Sequence, residues 1–189
     1  MTLRLFLALE IGEEVRRKLA ALPRKVDLSD AKAKWVEAGN LHLTLRFLGE
    51  VEEDRLGTIQ SVAAPCAQRV GAFTFTVRGL VPVPDRGPLR MIWAGVEEPT
   101  GRLSRLAAEL TEALAPLALH DDPEERSFRP HITLVRFRFV RDPNRIRAAV
   151  TPFSATDFGP TRATELVLVQ SQLTPAGPLY TPLARWPMG

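Results

Sequence analysis

The stretch Phe128–Arg136, with the sequence FRPHITLVR, has an earlier counterpart at Leu41–Gly49, with the sequence LHLTLRFLG. Each copy is a short apolar run that contains His, one aliphatic residue and then Thr. Successive side chains of a β-strand point to opposite faces, so the His and the Thr share one face and the flanking aliphatic residues share the other. The two copies therefore predict two strands whose polar faces line one cleft.

A comparison of two separate features indicates an internal duplication. The apolar segment Arg4–Glu10 resembles Arg90–Glu97 in residue type and order, and their first residues lie 86 positions apart. His42 and His131, the histidines of the two motifs, lie 89 positions apart. Near-equal offsets of this kind are typical of a repeated unit.

The expected architecture is an α+β fold in a single bilobal domain over residues 1–189. Two pseudo-symmetric halves are predicted at about residues 1–80 and 90–189, with a hinge loop at about 80–89 where three prolines and Gly87 cluster. Each half follows the order strand, helix, strand, helix, strand. This order predicts two antiparallel-rich sheets around a central cleft, with helices on the outside.

Hydrophobic periodicity and turn residues predict the individual elements. The predicted strands are Arg4–Glu10, Trp35–Val36, Leu41–Gly49, Phe73–Arg78, Arg90–Glu97, His131–Phe139, Glu165–Gln170 and Tyr180–Arg185. The predicted helices are Glu13–Leu22, Glu52–Gln68, Thr100–Leu117 and one that begins near Asp142, and the predicted loops include residues 26–34, 80–89 and His120–Arg126.

The composition places the chain among cytoplasmic globular proteins. No apolar run approaches the ~18–20 residues that span a bilayer, so no membrane association is expected. The single cysteine, Cys66, cannot form an internal disulfide, which agrees with a reducing compartment. The net charge of +3 comes mainly from arginine, whose planar fork suits phosphate. Arginine bias also follows from genome composition or thermal adaptation, so the charge permits a nucleic-acid partner without establishing one.

The two histidines favour paired acid–base chemistry over other mechanisms. Two histidines without a further carboxylate or thiolate ligand fall short of the three protein ligands of a catalytic zinc site, so no metal is expected. No strand-to-helix nucleophile elbow supports a serine triad. Histidine titrates near neutral pH, so one ring can accept a proton from water while the other donates one to a leaving oxygen. Hydrolysis of a phosphodiester needs both steps.

The threonines of the motifs are candidates for transition-state stabilisation. Thr44 and Thr133 share the face of His42 and His131, where their hydroxyls could donate hydrogen bonds to phosphate oxygens. The alternative is that they are ordinary β-branched strand residues. Their common placement favours the functional role.

These motifs resemble those of the two-histidine phosphoesterase superfamily, and in particular of the RNA 2′,3′-cyclic phosphodiesterases, also called 2′-5′ RNA ligases. The segments Asn40–Gly49 and Phe128–Arg136 are similar to the extended motifs of that family, and residues 4–9 are similar to its opening strand. The tail segments at residues 171–173 and 177–180 are also similar. The resemblance covers nearly the whole chain.

The resemblance implies a bilobal fold with a basic groove, and opening of a terminal 2′,3′-cyclic phosphate on RNA to a 2′-phosphate without metal or other cofactor. It implies that His131 activates water and His42 protonates the departing 3′-oxygen. The expected partner is RNA with a cyclic phosphate end, with tRNA fragments and small cyclic nucleotides as candidates, and the protein is expected to be a monomer. The alternatives are reversible 2′-5′ RNA ligation, hydrolysis of small cyclic nucleotides or 2′-5′ oligonucleotides, and a non-catalytic RNA-binding module.

Three further residues are candidates for substrate binding. Arg46 is in phase with His42 under strict alternation and could reach phosphate, although a solvated surface position is an equal alternative. Arg136 matches an arginine of the family motif, but alternation places it opposite His131 unless a bulge intervenes. Phe128 could stack on a terminal base, with core packing as the alternative.

Overall fold

The computed structural model describes residues 1–119, 128–175 and 177–189. The predicted loop His120–Arg126 lies outside these residues. The strands are β1 Thr2–Glu10, β2 Ala31–Trp35, β3 His42–Glu52, β4 Phe73–Val83, β5 Met91–Glu97, β6 His131–Val140, β7 Asp157–Ala163, β8 Glu165–Leu173 and β9 Pro178–Pro187. The α-helices are α1 Glu13–Ala20, α2 Leu56–Val70, α3 Arg102–Leu114 and α4 Pro143–Val150.

The strands form two antiparallel sheets, which confirms the predicted α+β class. The first sheet has the order β3-β1-β8-β9 and the second has the order β2-β6-β5-β4-β7. Each sheet combines strands from the early and the late part of the chain, because β8 and β9 join β1 and β3 while β2 and β4 join β5, β6 and β7. The first motif strand, β3, therefore lies in one sheet and the second, β6, lies in the other.

Three predicted loops or gaps differ from the structure. Residues 31–34, expected in a loop, join Trp35, which was expected in a strand, to form β2, and Ala31, Ala33 and Trp35 pack against the core. Residues 157–163 form β7, which was not predicted. Residues 80–83 continue β4, and the rest of the expected hinge connects β4 to β5 as a hairpin within the second sheet, so this loop does not link the two sheets.

Alternation along β1 separates the core from the cleft. Leu5, Leu7 and Leu9 are fully buried in a core cluster that includes residues of both sheets and of the helices. Phe6 and Ala8 point to the opposite face, where they pack with residues of β8. The polar cleft thus lies against the face of the first sheet that the main core leaves uncovered.

Among the described residues, no helix is long and apolar enough to cross a membrane.

Candidate active site

A cavity of about 370 Å³ opens between the two sheets. Both motifs contribute to it, through His42 and Thr44 from β3 and through His131 and Thr133 from β6. The other lining residues are Arg4, Phe6, Lys34, Trp35, Val36, Glu37, Asn40, Phe47, Arg136, Ser171, Leu173, Gly177, Pro178 and Tyr180. The predicted meeting of the two polar strand faces at one cleft is therefore observed.

The two imidazole rings are anchored in the same way. The Nδ1 atom of His42 lies 2.7 Å from the backbone oxygen of Asn40, and the Nδ1 atom of His131 lies 2.7 Å from that of Arg129. A carbonyl oxygen only accepts, so each Nδ1 carries a proton and donates it. Each neutral ring then has its lone pair on Nε2, which is the nitrogen left for chemistry in the cavity.

Thr44 is already in contact with the reactive nitrogen of its own motif. Its Oγ1 lies 3.0 Å from Nε2 of His42. The hydroxyl can donate to the neutral ring or accept from the protonated ring. A substrate oxygen that enters between them would meet both groups.

Aromatic side chains hold the rings, and they differ between the two motifs. His42 stacks on Phe6, with ring centroids 4.7 Å apart, and meets the edge of Tyr180 at 5.3 Å. His131 stacks on Trp93, with centroids 3.7 Å apart and an interplanar angle of 15°. The stacking of Trp93 on His131 depends on the pairing of β5 beside β6, which cannot be read from either strand alone.

The protein environment destabilises the protonated form of both histidines. Burial lowers the pKa of His42 below its ordinary value; its hydrogen bond to Asn40 opposes this shift, and the charges of His131 and Arg136 add to it. Burial also lowers the pKa of His131, and the charges of Arg136 and Arg129 contribute. Because a charge on His131 disfavours a charge on His42, the site favours at most one proton on the two Nε2 atoms near neutral pH.

A β-bulge in β6 turns Arg136 into the cavity. Opposite β5, Val135 pairs with Ile92 and Thr133 pairs with Trp93, so Leu134 is an extra residue. Leu134 and Val135 are both buried, and the alternation restarts with Arg136 on the histidine face. This is the bulge that the sequence required if Arg136 was to point inward.

A bulge at the equivalent position of β3 has the opposite consequence for Arg46. Opposite β1, Thr44 pairs with Ala8 and Arg46 pairs with Leu7, so Leu45 is the extra residue. The phase shift brings Phe47, and not Arg46, to the cavity. The expectation that strict alternation carries Arg46 into the cleft is therefore wrong, because the bulge breaks the alternation.

Phe128 also lies elsewhere than expected. It is half-buried and packs against the main hydrophobic core, and it is not one of the cavity-lining residues. Core packing, the alternative that the sequence left open, is the observed arrangement.

Two side chains, Asn40 and Arg16, support the position of His42, and the sequence did not predict this role for either. The Nδ2 atom of Asn40 donates to the backbone oxygen of Pro178 at 3.0 Å, which ties the start of β3 to β9. The guanidinium of Arg16 donates to the backbone oxygens of Ala38 at 2.5 Å and Leu41 at 3.2 Å. These contacts join a side chain to backbone oxygens that are distant in sequence, so no local sequence pattern predicts them.

The described residues make the cavity cationic and place no metal-ligand cluster in it. Arg4, Lys34 and Arg136 line it, against a single lining carboxylate from Glu37. Within residues 1–119, 128–175 and 177–189, no group of three or more His, Cys, Asp or Glu side chains is placed to hold a metal ion. Burial raises the pKa of Tyr180, so its hydroxyl stays protonated as a donor.

Comparisons with known proteins find relatives of similar sequence and similar fold. A family model described as LigT-like phosphoesterase matches residues 9–93 and 95–180. The RNA 2′,3′-cyclic phosphodiesterase of Methanothermobacter thermautotrophicus is 32% identical over 181 residues, which cover 96% of each chain. That of Archaeoglobus fulgidus is 34% identical over 182 residues, which cover 96% of this chain and 98% of the relative. The crystal structure of E. coli LigT complexed with 3′-AMP matches with a TM-score of 0.80 at 28% identity, covering 100% of this chain and 99% of that chain.

Proposed function

The chain belongs to the LigT-like phosphoesterase family, and we propose that it hydrolyses terminal 2′,3′-cyclic phosphates of RNA to 2′-phosphomonoesters by acid–base catalysis with a histidine pair. The observation that carries this proposal is the pair of rings, His42 and His131, anchored alike in one cationic cavity. Relatives named RNA 2′,3′-cyclic phosphodiesterase cover nearly the whole chain and support the substrate class.

The reaction uses the two Nε2 atoms in complementary states. One neutral ring takes a proton from water as the water oxygen forms a bond to phosphorus. The bond from phosphorus to the 3′-oxygen breaks, and the protonated ring gives its proton to that oxygen. Thr44 and Thr133 donate hydrogen bonds to the non-bridging oxygens, and Arg136 stabilises their growing charge. The rings then return to their starting states by proton exchange with solvent.

The roles of the two rings are a separate part of the proposal. The family resemblance assigns the base to His131 and the acid to His42. In the free protein, however, the charges of His131 and Arg136 favour a neutral His42. A bound phosphate anion offsets these charges, so the protonation of the complex decides the assignment. A substrate with sulfur at the bridging 3′ position tests it, because a thiolate leaves without protonation: turnover should return in the variant that lacks the acid and not in the one that lacks the base.

The partner and the setting are proposed more broadly. RNA fragments with cyclic ends, tRNA fragments among them, fit the cationic cavity, and small cyclic nucleotides fit its volume of about 370 Å³. A monomeric state and a cytoplasmic location rest on the sequence alone. Gel filtration with light scattering tests the first, since a monomer of 21.0 kDa is expected.

Incubation with a 2′,3′-cyclic mononucleotide and with a cyclic-ended RNA tests the reaction. Chromatography against 2′- and 3′-phosphate standards should find the 2′-monophosphate alone, and addition of EDTA should leave the rate unchanged. Replacement of either His42 or His131 by Ala should lower the rate by about 10²–10⁴-fold in protein that remains folded by circular dichroism. A near-normal rate in His42→Ala protein would refute the mechanism, and loss of activity with EDTA would indicate a metal.

The same incubations distinguish the alternatives. A longer product from cyclic-ended RNA and a second RNA with a 5′-hydroxyl would indicate ligation, in which the RNA hydroxyl replaces water. Binding of RNA without any product from either substrate would indicate a non-catalytic module.

A further inference from the structure

A second bulge lies in β6, beyond the cavity. Opposite β2, Phe137 pairs with Ala33 and Phe139 pairs with Lys32, so Arg138 is the extra residue. Phe137 packs against the core, whereas Arg138 and Phe139 are both exposed. The bulge therefore places these two neighbouring side chains on the same face, which is the face of Lys32.

This face continues the polar face of the cavity. Ala31, Ala33 and Trp35 of β2 pack against the core, so Lys32 and Lys34 point to the opposite side. Lys34 lines the cavity, and so does Arg136, which lies opposite Lys34 in the register of β2 and β6. A continuous strip therefore runs from the histidines along β6 and β2. We call its outer part, formed by Lys32, Arg138 and Phe139, the outer strip.

The exposure of Phe139 has no explanation in the fold. The side chain is 58% exposed, although its neighbours along β6 that face the core are buried or half-buried. A single exposed apolar residue is common on protein surfaces. Here, however, the ring lies between two cations on a strip that begins at the cationic cavity, and aromatic rings interleaved with basic residues are typical of single-stranded nucleic-acid surfaces.

The charge of the strip is uniform in sign over the side chains that form it. Asp30, which directly precedes β2, forms an ion pair with Arg145 at 2.8 Å. The strip therefore presents Lys32 and Arg138 to solvent as cations suited to phosphates. Arg136 and Phe139 lie three positions apart along β6, about 10 Å, so the outer strip lies beyond the side chains that would contact the cyclic phosphate.

We propose that the outer strip binds the RNA strand that leads to the cyclic end, with a base stacked on Phe139 and backbone phosphates beside Lys32 and Arg138. This inference rests on the proposed function and extends it, because it assigns a preference for oligonucleotides over cyclic mononucleotides. A mononucleotide fills the cavity and leaves the outer strip empty.

The test compares two substrates with one variant. Replacement of Phe139 by Ala should lower kcat/KM for a cyclic-ended oligonucleotide by about 5- to 150-fold, the value of one base–aromatic stack, and should leave the cyclic mononucleotide unaffected. The matched control is Leu179→Ala, an exposed apolar residue of β9 that is 54% exposed and alternates with Tyr180, so that it points away from the cavity. This control should behave as wild type on both substrates.

A second variant tests the electrostatic part. Replacement of Lys32 by Ala should weaken oligonucleotide binding and reduce the slope of log affinity against log salt by about 0.7 for one lost phosphate contact. Lys25→Ala, at an exposed lysine in the turn after α1, is the control for net charge.

The outcomes separate this inference from the proposed function. Equal kcat/KM of Phe139→Ala and wild type on the oligonucleotide would overturn the inference, as would an equal loss on both substrates. If wild-type protein turned over neither substrate, the proposed function would fail. Binding of a fluorescent oligonucleotide by wild type and Phe139→Ala would then still decide the inference: a weaker affinity of the variant supports it, and an equal affinity overturns it.

Discussion

Replacement of Arg136 by Met is expected to impair the enzyme in two measurable ways. The bulge at Leu134 carries the guanidinium into the cavity, and Met retains the unbranched stem without the charge. A hydrogen bond to a charged group contributes about 1.5–3 kcal/mol. At 1.36 kcal/mol for each factor of ten, its loss should lower kcat/KM for a 2′,3′-cyclic mononucleotide by about 10- to 150-fold. Because Arg136 is exposed at the cavity mouth, the melting temperature should change little.

The same variant should shift the pH profile upward. The charge of Arg136 lowers the pKa of both His42 and His131, so its removal raises both values. The acid limb, where the base becomes protonated, and the alkaline limb, where the acid loses its proton, should both move to higher pH. A lost phosphate contact alone would lower the rate without moving either limb.

Arg46 is the matched control for Arg136. Under strict alternation Arg46, and not Arg136, would point into the cavity. The bulge at Leu45 turns it out of the cavity-lining set, and Arg46→Met should therefore alter kcat/KM by no more than about 2-fold, as is typical of substitutions away from a site. Initial rates measured by chromatography across a range of pH, with thermal melts of each variant, test both proteins. An equal or larger loss in Arg46→Met than in Arg136→Met, at unchanged melting temperature, would refute the assignment of side-chain direction from the bulges.

Three further predictions concern the threonine, the support of the first motif and the pH dependence. Thr44→Val removes the hydroxyl 3.0 Å from Nε2 of His42 and should lower kcat by about 10²–10³-fold, whereas Thr44→Ser should retain most activity; equal rates in Val and Ser variants would contradict the role. Arg16→Met frees the backbone carbonyls before His42 and should lower kcat by up to about 10²-fold through misplacement of the ring; an unchanged kcat would show that the ring is held without it. The pKa values of His42 and His131 are lowered in the free protein, and a bound phosphate anion raises them. The alkaline limb of the pH profile of kcat should therefore lie at higher pH than that of kcat/KM. Coincident limbs would contradict this electrostatic account.

The strands that the sequence predicted well are those whose own side chains determine their burial. β1 is apolar on both faces, and β3 and β6 each alternate aliphatic residues with His and Thr, so the sequence pattern of each strand identifies it. Of the two edge strands of the second sheet, β7 was missed, and only Trp35 of β2 was predicted as strand. β2 contains alanine and lysine, and β7 contains Gly159 and Pro160, which disfavour strands. Pairing with a neighbour, and not local preference, forms these strands.

The predicted organisation in two pseudo-symmetric halves stays a prediction, with support from the site. The family model matches the consecutive segments 9–93 and 95–180. The two motifs also share features that the comparison of sequences did not include: an Nδ1 bond to the carbonyl two residues earlier, and a bulge one residue after the threonine. The sheets nonetheless exchange strands between the early and late parts of the chain, which no local pattern predicts.

The site residues that sequence failed to place depend on the bulges. A bulge adds one residue to one strand only, so it is defined by the partner strand and cannot be read from the motif itself. Side chains before the bulge, His42, Thr44 and their counterparts, follow strict alternation and were placed correctly in the cleft. Side chains after it are shifted by one position, which excludes Arg46 and admits Phe47 and Arg136.

The shared bulge also explains how similar motifs build a site with two different walls. Phe47 and Arg136 occupy the same position relative to their histidines, five residues later, and both line the cavity. One bulge therefore delivers an aromatic ring, which Arg4 covers at 4.5 Å from the ring centroid, while the other delivers a guanidinium. A nucleotide needs both kinds of surface, an apolar one for its ring system and a cationic one for its phosphate. We therefore expect equivalent backbone geometry with unlike side chains at this one position to orient an asymmetric substrate in the cavity.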